Sequence, residues 1–311
     1  MWRATALAVV LGLLPAACAR ASVAYERQAD GAIVVADARG GHPRVVAHGQ
    51  TPELAPDGRH VAYVVHRFGR GDAARVVGAH GGRPWTLLPD TIGSPAVTWS
   101  PDGRYAVAGF EQACLVDVRL RRRRCLRLGL EGYGGAVFSP SGRTLLVDDE
   151  ILPDDSELVR VSMRRGYLGR LPGTGYLPVW GRRWLAWLST DATHYAGPTF
   201  YGLGVTRDLR LRGKRTLLTT GADDALAPLA WSADGRRLLV AESVQGGVRA
   251  LLLSPATGAV VTLPTPFSGV AALSRDGRRV LGTIGDDVVS VRDDGTVTVL
   301  ATGATSPSWD E

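Results

Sequence analysis

Lysine is nearly absent: of 36 basic residues, only Lys214 is not arginine. With 39 glycines and abundant alanine, this is the usage of a GC-rich genome and carries no functional reading. Beyond the first residues no long segment has a 3.6-residue apolar period, which argues against a helical architecture. There is no Gly-x-Ser-x-Gly elbow, no Gly-rich phosphate loop ahead of a helix and no His-Glu-x-x-His motif. The α/β-hydrolase, nucleotide-binding and zinc-protease signatures are therefore missing. The six histidines (His42, His48, His60, His66, His80 and His194) have no ligand-like spacing. No linker or low-complexity stretch divides the chain.

What is present is a repeat. A short apolar run, a tight turn ending in Gly-Arg and a second apolar run recur six times, with glycines at 58, 103, 142, 181, 235 and 277. The clearest copies are Trp99-Ser100-Pro101-Asp102-Gly103-Arg104 and Trp231-Ser232-Ala233-Asp234-Gly235-Arg236. Pro presets φ, Asp bonds its own backbone, and Gly takes the left-handed conformation that closes a hairpin. A second hairpin follows in each unit, as in Val248 to Leu253 returning through Ala259 to Leu263. Four short strands in a period of about 40–45 residues predict propeller blades. Val23-Ala24-Tyr25, Ile33 to Ala36 and Val45 to Ala47 read as three strands lacking an innermost partner, which Thr305 to Trp309 would supply. The expectation is an all-β chain forming a single β-propeller, seven four-stranded blades closed by pairing the N- and C-terminal strands. The alternative is six blades.

Residues 1–21 read as a signal peptide and 22–311 as the propeller domain. Arg3 precedes an apolar run from Ala4 to Leu14, too short to span a bilayer, and cleavage sites fall after Ala19 or Ala21. Leu14-Pro15-Ala16-Ala17-Cys18 resembles a bacterial lipoprotein signal, with Pro15 where Leu is usual, making Cys18 the candidate for lipidation. Export permits a disulfide. Cys114 and Cys125, on the two arms of one hairpin, are the candidate pair, with two separate buried thiols as the alternative.

The Trp-Ser-Pro-Asp-Gly-Arg units resemble the TolB-type propeller repeat of bacterial exported proteins, over about residues 23 to 309. The resemblance implies a propeller fold at the cell envelope, working through an envelope protein partner.

Loop placement supplies candidate sites. On the face formed by the strand 2–3 and between-blade loops, carboxylates lie beside an imidazole and a phenol. They are Asp148, Asp149, Glu150, Asp154 and Asp155 in one blade, and Asp191, His194 and Tyr195 in the next. Such a mouth would hold a cationic peptide, a sugar or Ca²⁺, although the acidic run lacks the Asp-x-Asp-x-Asp-Gly spacing. The opposite face is expected to be basic. It carries Arg119, Arg121, Arg122, Arg123 and Arg124, then Arg164 and Arg165, then Arg207, Arg210 and Arg212. That sector would attract anionic lipid, a cell-wall polymer or an acidic protein, or serve only to blunt exposed edges. Nucleic acid is not expected, no cofactor or metal is called for, and the chain is expected to be a monomer. The functional expectation is an exported, non-catalytic, TolB-like protein-binding or scaffold module. The alternatives are a propeller enzyme of lactonase, lyase or glycosidase type, or a small-ligand or sensor module using the acidic face.

Overall fold

The computed structural model describes residues 22–91, 95–109, 113–126, 128, 134–149, 157–171, 176–190, 201–206, 215–219 and 225–310. These residues form seven four-stranded antiparallel sheets. Blade I combines Ala304–Trp309 with Ser22–Arg27, Ala32–Asp37 and Arg44–His48. Blade II is Gln50–Leu54, His60–Arg67, Gly71–Gly78 and Trp85–Thr91, and blade III is Ala96–Trp99, Tyr105–Gly109, Ala113–Asp117 and Arg122–Cys125. Blade IV is Gly135–Phe138, Thr144–Asp149, Glu157–Ser162 and Gly166–Arg170. Blade V is Tyr176–Trp180, Leu185–Thr190, Tyr201–Thr206 and Arg215–Thr219. Blade VI is Leu226–Trp231, Leu238–Val244, Gly247–Leu253 and Val260–Thr262, and blade VII is Gly269–Leu273, Arg279–Ile284, Asp287–Arg292 and Val297–Ala301. The composite blade expected from the two chain ends is present.

The core is divided among the junctions between blades. Side chains alternate across a strand, so one set faces the preceding blade and the other the following one. In blade IV, Leu145 and Val147 pack with Val107 and Leu115 of blade III, while Leu146 packs with Leu185 and Trp187 of blade V. Seven clusters of buried residues result, each shared by two neighbouring blades. Hydrogen bonds between neighbouring blades reinforce several junctions. The Trp99 and Trp231 indole N–H groups donate to the carbonyls of Glu53 and Val179, both at 3.0 Å. The Leu54 amide donates to Ser308 Oγ (2.9 Å), across the junction with the closing blade.

The turns follow the expected chemistry in five of the six repeats. Gly58, Gly103, Gly142, Gly235 and Gly277 have φ of 65–70°. In the best copies the serine hydroxyl donates to the aspartate, as Ser100 does to Asp102 (2.6 Å), and the aspartate accepts the following arginine amide. The sixth copy differs. Gly181 does not close the hairpin by a left-handed turn; it occupies the position of Ser100 and Ser232, and its amide bonds the Trp184 carbonyl (2.9 Å). A Cβ there would lie 2.4 Å from the Trp231 ring, so this glycine makes room for an indole.

Candidate functional site

The acidic mouth does not assemble as expected where it can be followed. Asp148 and Asp149 are buried within blade IV rather than displayed on a loop. Asp148 Oδ2 accepts the amide of Leu177 (2.9 Å), which has a left-handed φ of 50° at the innermost strand of blade V. Asp149 pairs with Arg170 (2.8 Å), which also bonds Glu157. Both carboxylates thus hold strands together, because the strand runs two residues past the point where a loop was expected. Glu150, Asp154, Asp155, Asp191, His194 and Tyr195 lie outside the described residues.

The basic face is more completely defined. Hairpin topology places the strand 1–2 and strand 3–4 turns at the same end of every blade. Arg119 and Arg121 to Arg124 occupy the second of these turns and the adjoining strand in blade III, and Arg164 and Arg165 the corresponding turn in blade IV. Arg207, Arg210 and Arg212 lie outside the described residues. Sequence reasoning missed a second set, Arg59, Arg104 and Arg143. These follow the turn glycines, so the repeat itself delivers an arginine to this face at each step. The signal was in the motif and was read only as a turn.

Among the described residues, two clefts open here. One, of about 750 Å³, lies on blade IV and is lined by Arg143, Thr144, Ser162, Arg164, Arg165 and Leu168. No carboxylate among the described residues pairs with its three arginines. Ser162 Oγ accepts the amides of Arg164 and Arg165 (3.3 and 3.1 Å), which fixes the turn while leaving both guanidinium groups exposed. The other cleft, of about 570 Å³, lies between blades II and III and mixes Asp57 and Asp102 with Arg59, Arg104, Arg119 and Arg121. Arg104 is committed to Asp117 through Nε and Nη2 (3.2 and 3.0 Å). Burial alone would raise the Asp117 carboxyl, but the Leu120 amide and Arg104 hold it below the usual range.

A third feature lies on the innermost strand of blade II. Pro52 and Leu54 are buried there, and Glu53 between them faces the solvent of the central channel. Desolvation beside the neighbouring strands pushes its carboxyl pKa up to about 7. Thr98 and Ser308, at the equivalent position of the flanking blades, spend their hydroxyls on Ala136 O and the Leu54 amide (both 2.9 Å). Among the described residues only Glu53 brings an ionisable group to this level of the innermost strands, a distinction visible in sequence once the repeats are aligned on their turns. Among the described residues, no group of three or more His, Cys, Asp or Glu side chains is arranged to hold a metal ion.

Cys114 and Cys125 face each other in the register of the third and outermost strands of blade III and are joined by a disulfide. The Leu126 amide bonds the Ala113 carbonyl (2.8 Å), so the cysteines occupy the adjacent non-hydrogen-bonded pair, where facing side chains come closest.

No protein-family model matches the chain, and no curated protein matches it by sequence. Solved structures do match. TolB from Acinetobacter baumannii is 17% identical with a TM-score of 0.56, the alignment covering 93% of this chain and 82% of that one. An oligogalacturonate lyase in complex with manganese is 14% identical (TM-score 0.59, 90% and 83% covered). The periplasmic gluconolactonase PpgL of Pseudomonas aeruginosa is 16% identical (TM-score 0.58, 93% and 98% covered). The chain shares a TolB-like propeller fold with these proteins, two of which are named as enzymes.

Proposed function

We propose that this TolB-like propeller is exported and non-catalytic, and serves as a protein-binding or scaffold module at the cell envelope. Its arginine-lined turn face docks an acidic partner protein. The observation that carries the reading is the blade IV cleft. Arg143, Arg164 and Arg165 converge there with no carboxylate among the described residues to neutralise them, and the exposed Leu168 (40%) lines the same cleft. Unneutralised positive charge beside exposed apolar surface is a chemistry that recognises an acidic protein, by steering and then by burial. The extracytoplasmic location is supported by the leader in residues 1–21, with acylation of Cys18 as its membrane-anchored form, and by the Cys114–Cys125 disulfide. The resemblance to TolB and to a periplasmic lactonase agrees with it.

The test is a crosslinking pull-down of the tagged, natively exported chain from its own membranes, with mass spectrometry of partners and of the mature N-terminus. The parent is expected to capture one dominant acidic envelope protein at low salt. A triple Arg143→Ser, Arg164→Ser, Arg165→Ser variant should lose that protein, and Arg70→Ser, on the opposite face, should keep it. Equal capture by the triple variant, or binding only to anionic lipid vesicles, overturns the reading.

A further inference from the structure

The cleft between blades II and III differs in kind from its neighbour on blade IV. It is built from two blades, it carries both signs of charge, and it contains an indole and an imidazole. Its volume of about 570 Å³ falls within the range of small-molecule sites. We propose that it binds a small, singly charged, polyhydroxylated anion: a sugar acid.

Three sets of groups carry this. The first is cationic. Arg121, at the left-handed turn position (φ 54°), holds its guanidinium 5.9 Å from the centre of the Trp85 ring, and Arg59 and Arg119 line the same cleft. A guanidinium offers a carboxylate two parallel donors, and the indole beside it offers an apolar face to the C–H side of a sugar ring. The second set is acceptors. Asp57 and Asp102 each use Oδ1 within their own turns, on the Arg59 amide (3.0 Å) and on Ser100 Oγ and the Arg104 amide. Neither Oδ2 has a hydrogen-bond partner among the described residues, so both remain to receive ligand hydroxyls. The third is His60. Its ring lies against Trp99 (centroids 6.4 Å apart, 25° between planes), and Trp99 is itself fixed by its bond to Glu53 O. His60 Nδ1 is buried with no partner among the described residues, and desolvation favours the neutral ring. A neutral imidazole both donates and accepts, which suits a hydroxyl rather than a second anionic group.

The two aspartates also set the charge of the ligand. A phosphate dianion would be repelled by them, whereas the blade IV cleft, with three arginines and no acid, suits multiply charged groups. A single carboxylate with hydroxyls satisfies both halves of the inter-blade cleft. The inference does not depend on the docking reading, because none of its residues belongs to the blade IV cleft.

The experiment is a titration of the full mature chain with D-glucuronate, D-glucose and inorganic phosphate, followed by calorimetry and by tryptophan fluorescence. Glucuronate is expected to bind saturably, with glucose and phosphate each about tenfold or more weaker. Trp85→Ala and Arg121→Ser should each weaken glucuronate by about tenfold, while Trp85→Phe and Arg121→Lys, which keep ring and charge, recover part of it. The Arg143, Arg164 and Arg165 triple variant should bind glucuronate as the parent does. No saturable binding, phosphate binding as tight as glucuronate, or loss in the blade IV variant alone overturns the proposal.

Discussion

Blades I and III keep a sheet together by opposite means. Blade I joins strands from the two ends of the chain, and everything holding them is non-covalent. The Ser22 amide donates to Asp310 Oδ1 (2.6 Å) across 288 residues, Gln28 donates to Gly303 O (2.9 Å), and Val23 faces Trp309 in the register. Blade III joins neighbours in sequence, yet it is the sheet with a covalent tie, across 11 residues. The difference lies in what each joined strand can bury. Ala304–Trp309 is an innermost strand, packed on Val23, Tyr25, Leu281 and Leu300, so burial alone closes the ring. All four residues of Arg122–Cys125 are exposed, and Arg121 to Arg124 repel one another. Its side chains add little packing to this edge, and the disulfide supplies a covalent tie beside the ladder pairing.

The comparison breaks most decisively at blade I. Deleting Gly303 to Glu311 removes the innermost strand, strips the Val23–Leu281–Leu300 cluster of Trp309 and leaves two sheet edges open. The melting temperature should fall by on the order of 15 °C, since losing one large buried aromatic alone costs about 3–5 kcal/mol. A fall of only a few degrees would mean that the ring does not depend on this strand. Replacing both Cys114 and Cys125 by alanine should cost less, about 3 kcal/mol for a loop of this length. Because the bond opposes repulsion among arginines, the loss measured by denaturant titration should be larger at low salt than at high salt. A salt-independent loss would reduce the bond to a simple chain-entropy constraint.

The same contrast shows what was readable in the chain. Blade I could be read because Pro307-Ser308-Trp309 repeats the local chemistry that ends other innermost strands, and a missing strand at one terminus asks for one at the other. The facing of Cys114 and Cys125 could be read from hairpin register, which is local. Spacing misassigned Gly181, because nothing near it in sequence reveals that Trp231, fifty residues away, occupies the space a side chain would need. Asp148 and Asp149 looked like loop carboxylates because their partners, the Leu177 amide and Arg170, come from another blade and from an outer strand. The clefts depend on turns from adjacent blades standing side by side, and sequence gives the turns without their spacing.

The smallest expected effect sharpens the comparison at the seam where blade I meets blade II. Glu53 lies on the strand whose Leu54 amide bonds Ser308 of the closing strand. Its folded pKa is about 7 against an ordinary 4.5, raised by desolvation. An acid raised in this way is neutral in both states at low pH and imposes no penalty there. Between the two values the unfolded chain ionises first, so the native state loses stability; above the folded value the loss stays constant. Glu53→Gln, which keeps the shape and removes the charge, should therefore melt close to the parent at about pH 4 and above it at about pH 8, the gap opening between pH 4.5 and 7. Channel water screens the carboxylate, so the gain should remain smaller than the cost of losing the disulfide. A gap of equal size at both pH values would show that the substitution acts through packing, and that the Glu53 charge does not load the closing seam.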